Sequence, residues 1–533
     1  MNQNVSVLIV GAGPTGLMAA NLLAAHGIDF RIIDKKSRAT LYSNAAAVHA
    51  RSLEALQSLN LSQLFLKAGL RIEYGDIYRG KKLLAEIHFK TIDSEFNYLL
   101  SIPQNRSEKI LIENLLSLHH KVERDTTLMA IYPFADHVEA VIEKPNSERE
   151  KFTANYVLAC DGAHSSVRGM ADIDFPGNDF DQQFLLADLT FKRNISQHKI
   201  RAEFNDKEIL FMVPLPTGNV RFIINIPEDH SLYQKETVPL ETVRYVCQNR
   251  LAGFNTIDKI HWHSFFWIHS KMSAAFQKER IFMLGDAAHI HSPAGGQGMN
   301  TGLQDAFNLI WKLALVIKGH SHQKILASYS AERKPVAAEI VKMTDRATHL
   351  IANQNAMVIW LKTLAFKMVN RFQSLQHKIV NHIAQLDYEY KDSTIIDYTH
   401  RISLRAPKPG CRLPNIALKR QQFMFSLLEP HRHTLLIFLF NTTAEKQAVI
   451  LSSSICSQYK NLITPVIIST IKKLPQKNNV IQTTRRLLNK KLHINVNAVY
   501  LIRPDHYISY CQKNFGADEL LMYLGQTFTS EHS

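Results

Sequence analysis

VSVLIVGAGPTG, residues 5–16, joins a run of Val, Ile and Leu to a turn holding three glycines. The run Val5–Val10 has the composition of a strand buried on both faces in a parallel sheet. Gly11, Gly13 and Gly16 match G-x-G-x-x-G, with Pro14 and Thr15 inside the motif. The first glycine allows the tight turn, the second lets a pyrophosphate approach the backbone, and the third lets helix and strand pack closely. Leu17 to His26 reads as an Ala/Leu-rich helix closed by Gly27, and Phe30 to Ile33 as a second strand ending at Asp34. The N-terminus of that helix offers free N–H groups and a partial positive charge to phosphates. Asp34 lies near the distance at which a carboxylate meets the ribose hydroxyls. This unit predicts dinucleotide binding and leaves FAD and NAD undistinguished.

Farther along, Leu284 to Gly302 (LGDAAHIHSPAGGQGMNTG) separates the two. A buried strand, Ile281 to Leu284, delivers Gly285 and Asp286, a carboxylate suited to a polyol hydroxyl. Pro293 and Gly298 belong to a glycine-rich turn that opens a helix near Met299. Backbone N–H groups of Met299 and Asn300 suit the carbonyl edge of a flavin. The segment closely resembles the second FAD motif of the class A flavoprotein monooxygenases, the family of para-hydroxybenzoate hydroxylase and phenol hydroxylase. Further stretches resemble the same family. Residues 160–168 (CDGAHSSVR) are similar to its DG motif and put Asp161 and Arg168 beside cofactor. Residues 48–54 (VHARSLE) resemble the segment whose arginine, here Arg51, meets FAD. Residues 102–108 (IPQNRSE) resemble the stretch whose glutamine, here Gln104, meets the ribityl chain, and residues 329–335 a later helix start. The resemblance covers roughly residues 1–350. Lys271 stands where the family often has arginine, and His164 where a small or basic residue is common.

The resemblance implies an α/β fold: a Rossmann-like FAD-binding domain in two parts, 1–175 and 281–391, an inserted β-sheet substrate domain, 176–280, a linker, 392–414, and a C-terminal thioredoxin-like domain, 415–533. Hairpin signals at Leu210–Leu215 and Val220–Ile226, around Pro216–Asn219, agree with the inserted sheet. Met212, Phe222, Trp267 and Pro293 are the expected substrate-pocket residues, with His49 a further candidate. The C-terminal part lacks a CxxC pair, which argues against a dithiol redox role. The activity implied is aromatic hydroxylation: NADPH or NADH reduces FAD, and a flavin C4a-hydroperoxide delivers oxygen from O2 to a small phenolic or polyketide-like substrate. No catalytic acid or base is identifiable.

Composition narrows the alternatives. Of 533 residues, 46% are apolar, and 62 Lys and Arg oppose 47 Asp and Glu for a net charge of +15. The basic residues are scattered and no nucleic-acid module accompanies them, so no nucleic-acid partner is expected. Five cysteines, Cys160, Cys247, Cys411, Cys456 and Cys511, show neither disulfide nor zinc spacing. The pairs His261/His263 and His289/His291 lack a further ligand, so no metal is expected. Ser165 and Ser166 lack the G-x-S-x-G elbow of acyl transfer. No signal peptide or run of roughly 20 apolar residues occurs, which predicts a cytoplasmic protein. Residues 356–372 (AMVIWLKTLAFKMVNRF) read as an apolar helix with basic residues, of the kind that packs on a neighbouring helix or a second subunit in a homodimer. A membrane surface is its other possible home, which motivates an alternative: an oxygenase for a membrane-associated quinone precursor or isoprenoid. The W-x-W-x-I-P signature of flavin halogenases is absent, and a non-catalytic FAD-stabilised binding module sits poorly with an intact glycine-rich flavin loop.

Overall fold

A computed structural model describes residues 4–40, 45–193, 195–204, 209–226, 232, 239–250, 256–292, 295–352, 356–419, 422–471 and 480–529. Pro293 lies outside the described residues.

Strand Asn4–Val10 occupies the middle of the first sheet. It pairs in parallel with Phe30–Ile33 on one side and with Arg149–Ala159 on the other. Ile281–Met283 adds in parallel beyond Arg149–Ala159, and Gln277–Lys278 closes that edge. Val7, Leu8 and Ile9 are buried because elements cover both faces of the sheet, which is why the run carries no polar alternation. The parallel arrangement brings the carboxyl ends of four strands to one side. There the glycine turn 11–16, Asp34, the DG turn after Ala159 and the loop after Met283 meet, although more than 270 residues separate the first from the last. Ligands bind at this end of open α/β sheets.

Helix Pro14–Ala25 crosses the long helix Gln297–Ile317 at Thr15. A Cβ on Gly302 would fall 2.2 Å from Thr15 Oγ1, so only glycine permits the crossing. The long helix begins two residues before the Met299 start expected from sequence.

The second sheet has eight strands in the order His289–Ile290, Ile257–Met272, Gly177–Phe191, Val220–Ile226, Ile209–Pro214, Lys199–Phe204, Tyr74–Arg79 and Lys82–His88. It is therefore not confined to residues 176–280: two strands come from 74–88, and Tyr74–Arg79 joins Lys199–Phe204 in parallel. One face packs on helix Leu240–Arg250, where Leu185, Leu210, Met212, Phe222, Val243 and Cys247 share a core. The opposite face looks onto the motif-bearing loops.

A five-stranded mixed sheet, ordered Val480–Gln482, Ile463–Ser469, His433–Leu439, Ala498–Ile502 and Ile508–Lys513, forms the C-terminal unit. Alternate residues of its central strand feed separate cores, Leu436 and Phe438 on one face and Leu435 and Ile437 on the other. The 392–414 stretch has no helix or strand, yet it is anchored: Ile395, Ile396, Ile402 and Leu413 are buried. Gly410 makes this possible, since a Cβ there would meet the Tyr390 carbonyl oxygen at 2.3 Å.

Buried ion pairs fasten the C-terminal unit to the rest. Glu332, on helix Ala327–Ala352, accepts from Arg503 at 2.6 and 2.8 Å and from Lys312 at 2.8 Å. Arg412 pairs with Glu54 through Nε and Nη2. Trp311 on the long helix meets His433 edge-on at 5.2 Å. No helix among the described residues is long and apolar enough to cross a membrane.

Candidate active site

A cavity of about 700 Å³ runs from the glycine turn to the inner face of the eight-stranded sheet. At one end Gly11, Gly13, Thr15 and Asp34 line it; Gln104, Asp161, Asp286, Gly298 and Met299 line its middle. These nine expected cofactor residues thus line one cavity, brought there from five separate segments.

The glycines act as their positions predict. Gly11 has φ +100, and a Cβ would fall 2.3 Å from the Cys160 carbonyl oxygen. A Cβ on Gly16 would meet the Gly11 carbonyl oxygen at 2.0 Å. At Gly13 a Cβ meets nothing within 4 Å: the space beside it is open, as the approach of a pyrophosphate requires. Asp34 accepts from the backbone N–H of Ala12 and of Lys36, both at 2.8 Å, which fixes its carboxylate at the cavity edge.

Gly285, with φ +57, turns the chain so that Asp286 faces the cavity. Asp286 is exposed toward the cavity, and desolvation by the protein packed around its turn raises its carboxyl pKa, against the opposing pull of His289. No hydrogen bond to a described residue occupies that carboxylate, so it presents an acceptor to whatever fills the cavity. Behind the turn, Asp305 accepts from Gly285 N–H (3.1 Å), His289 Nε2 (2.8 Å) and Arg333 Nε (2.8 Å). Arg333 and His289 keep the Asp305 carboxyl ionised, below its ordinary value, despite burial. Asp305 thereby holds the loop from beneath without touching the cavity.

Helix Gln297–Ile317 opens on Gly296, whose φ of +64 is left-handed. The first-turn N–H groups of a helix have no intrahelical acceptor, and Gln297, Gly298 and Met299 line the cavity at this point. The side chain of Asn300 has a role beyond the backbone N–H singled out from sequence. Its side chain accepts from His49 N–H (2.9 Å) and Ser52 Oγ (2.7 Å) and donates to the Ala47 carbonyl (2.9 Å), so it pins the 47–52 backbone against the helix start. His49 itself lines the cavity and donates from Nε2 to the Gly295 carbonyl at 2.9 Å. Burial lowers its pKa to about 4, leaving it neutral near pH 7.

Five of the expected residues stand away from the cavity wall. Arg51 does not line the cavity. The helix Ala50–Gln57 turns it away, onto the Asp505 carbonyl (2.5 Å), Glu54 (3.3 Å) and His506 (3.3 Å). Arg168 also stands outside: it donates to the Ala163 and Ala287 carbonyls at 2.8 and 3.0 Å and so ties the DG turn to the Gly285–Ala287 turn. Met212 and Phe222 are cross-strand partners on the far face of the sheet, in the core with helix Leu240–Arg250. Their neighbours Phe211, Val213, Arg221 and Ile223, one residue out of phase, form the cavity wall with Phe184. Trp267 is half-buried and is not part of that wall.

Arg221 was not anticipated. It is 2% exposed and grips Asp188 with two bonds, 2.8 and 2.9 Å. The two are direct cross-strand partners. A lone arginine in the apolar run VRFIINI, opposite an aspartate in the strand FLLADLTF, was the available signal. Among the described residues no group of His, Cys, Asp and Glu could hold a metal.

These features fit FAD: an open side at Gly13, an available carboxylate at Asp286 and a helix N-terminus between them. Residues 4–344 match the family model described as "FAD binding domain". Over 475 residues the chain is 27% identical to pentachlorophenol 4-monooxygenase of Sphingobium chlorophenolicum, covering 88% of this chain and 86% of that protein. Over 439 residues it is 31% identical to a rifampicin monooxygenase of Rhodococcus hoagii, covering 81% and 86%. An anhydrotetracycline hydroxylase from Streptomyces rimosus has the same fold, with a TM-score of 0.77 at 25% identity over 99% of both chains. The chain belongs to the FAD-binding aromatic monooxygenase family and is an FAD-dependent monooxygenase.

Proposed function

We propose that this protein uses NADPH or NADH, FAD and molecular oxygen to hydroxylate a phenolic or polyketide-like aromatic compound. The observation that carries this reading is the continuity of the cavity. One space joins the glycine turns to an apolar wall of Phe184, Phe211, Val213 and Ile223, so cofactor and an aromatic ring fit end to end. Residues 1–175 and 281–391, as a Rossmann-like unit, would hold FAD. Gly11, Gly13, Thr15 and Asp34 take its pyrophosphate and ribose, and Gln104, Asp161, Asp286, Gly298 and Met299 its flavin half. Bound FAD supplies the redox chemistry, passing two electrons from the nicotinamide to O2, one atom of which enters the substrate while the other leaves as water. The protein's part is position and dryness. The apolar wall excludes water that would divert activated oxygen to peroxide. Arg221, kept in place by Asp188, offers a buried cation to an ionised substrate oxygen. Neutral His49 orders the loop around Gly295. The inserted sheet roofs the substrate, and a thioredoxin-like C-terminal unit, lacking a CxxC pair, braces the cofactor domain rather than exchanging electrons.

The test is a screen of phenolic and polyketide-like compounds for stimulated NADPH or NADH oxidation, with product masses measured. A product heavier by one oxygen atom supports the reading. Failure of both nicotinamides to reduce the bound flavin, with every compound tried, overturns it.

A further inference from the structure

Helix Ala356–Arg371 exposes an apolar stripe to solvent. Met357 is 71% exposed and Leu361 50%; Leu364, Met368, Phe372 and Leu375 continue the row. The spacings of four, three, four and four residues place Met357, Leu361, Leu364, Met368 and Phe372 on one face of this helix and its end, and Leu375 follows, exposed, in the next helix after the extended backbone at Phe372. The opposite face is committed. It packs on strand Lys82–His88, Phe366 stacks on Phe204 at 6.0 Å, and Asn370 accepts from Glu86 N–H at 3.3 Å. Contacts of the next helix, Gln373–Ile383, fix the same orientation, with Gln376 donating to the Glu86 carbonyl at 2.8 Å.

Charge identifies what covers the stripe. Residues 346–386 include Arg346, Lys362, Lys367, Arg371 and Lys378 and contain no Asp or Glu. Lys367, Arg371 and Lys378 are exposed beside the apolar row. A helix with an exposed apolar face, in a segment whose charged residues are all basic, suits the boundary of an anionic bilayer, apolar groups toward the acyl chains and cations on the phosphates. A second copy of the chain suits it poorly, because a two-fold contact sets this acid-free segment against itself.

We propose that this face docks the protein on an anionic lipid surface. The docking face adjoins the cavity: Ile87 on the strand beneath the helix, Ile200 and Ala202 on Lys199–Phe204, and Ile383 at the end of the following helix all line it. A lipophilic aromatic compound dissolved in the bilayer therefore enters beside its site of oxidation. This delivery role rests on the proposed function; the docking itself does not.

The FAD-loaded protein is floated with vesicles of phosphatidylcholine alone and of phosphatidylcholine with phosphatidylglycerol. Flotation is expected only with the anionic vesicles, and to fall as salt rises. Leu361→Glu with Met368→Glu abolishes it while flavin absorbance is retained. Lys367→Ser with Arg371→Ser, exposed changes that spare the apolar row, weakens partitioning roughly thirtyfold. The proposal is overturned by absence of flotation with anionic vesicles, by flotation that neither double variant reduces, or by a sedimenting dimer that Leu361→Glu splits. Vesicle binding without substrate-stimulated nicotinamide oxidation would instead sink the function while leaving the docking standing.

Discussion

Replacing Glu54 tests how the C-terminal unit is held to the cofactor domain. Glu54 is wholly buried and serves two cations: Arg412 through Nε at 2.8 Å and through Nη2, and Arg51 at 3.3 Å, with Ser94 Oγ adding a bond at 2.7 Å. Glu54→Met leaves both guanidiniums buried without their carboxylate. Breaking a buried pair from one side costs about 3–5 kcal/mol. Arg412→Met is milder, because Glu54 keeps Arg51 and Ser94; the loss of charge-assisted bonds is about 1–3 kcal/mol. The order of the two single variants is therefore set by geometry. In the double variant the costs fall short of their sum, since removing Arg412 eliminates one of the stranded cations. Trp311 provides the assay: it touches His433 of the C-terminal sheet and lies 5.0 Å from the Arg503 guanidinium. With the other three of the four tryptophans changed to phenylalanine, urea titration of its fluorescence follows undocking. A Glu54→Met midpoint equal to that of the parent, or an Arg412→Met cost exceeding that of Glu54→Met, would refute the reasoning.

Other outcomes follow from the site. Asp286→Ala should weaken FAD binding by about 1.5–3 kcal/mol, the worth of a hydrogen bond to a charged acceptor, read from flavin fluorescence on dilution; unchanged affinity counts against its role. Met212→Ala should cost about 2–5 kcal/mol of stability with substrate preference intact, whereas Phe211→Ala should shift substrate preference, and a reversal of these phenotypes would invert the assignment of sheet faces. His49 and His291 are both held near a pKa of about 4 by burial, below their ordinary value of 6.5. The unfolded chain takes up their protons first, so stability is full above pH 6.5 and declines as pH falls toward 4. Denaturation midpoints that stay level across that window would contradict it.

The parts of the site legible in sequence are those whose demands are local. Gly16 is required by the Gly11 carbonyl five residues earlier and Gly11 by its own φ of +100, and a strand–turn–helix carries its own punctuation, so the motif could be read without knowing that Cys160 packs against it. Gly285 likewise answers to its own φ of +57 at a strand end, although the side chain it makes room for, Thr15, is remote in sequence. Arg51 could not be placed that way. Its partners Asp505 and His506 lie more than 450 residues later, and nothing near position 51 tells which side of its helix they cover. The pocket strands failed for a different reason. Period-two alternation separates Met212 from Phe211 but does not say which set faces helix Leu240–Arg250. The pairing of Tyr74–Arg79 with Lys199–Phe204 is likewise invisible, because a parallel register across such a distance leaves no local trace.

The central sheet also constrains how the protein comes into being. Strand Asn4–Val10 is made well before its partner Arg149–Ala159, and that strand's neighbour Ile281–Met283 arrives later still. A nascent chain still lacking the residues after Met283 has its glycine turn but no Asp286, no Gly298 and no long helix to close over Thr15. It exposes an apolar strand edge while translation continues, the condition under which chaperones are recruited. Under the proposed placement of FAD, the residues assigned to its flavin half are complete only after Met299 has been made, so full capture of the cofactor waits on the strands that complete the sheet.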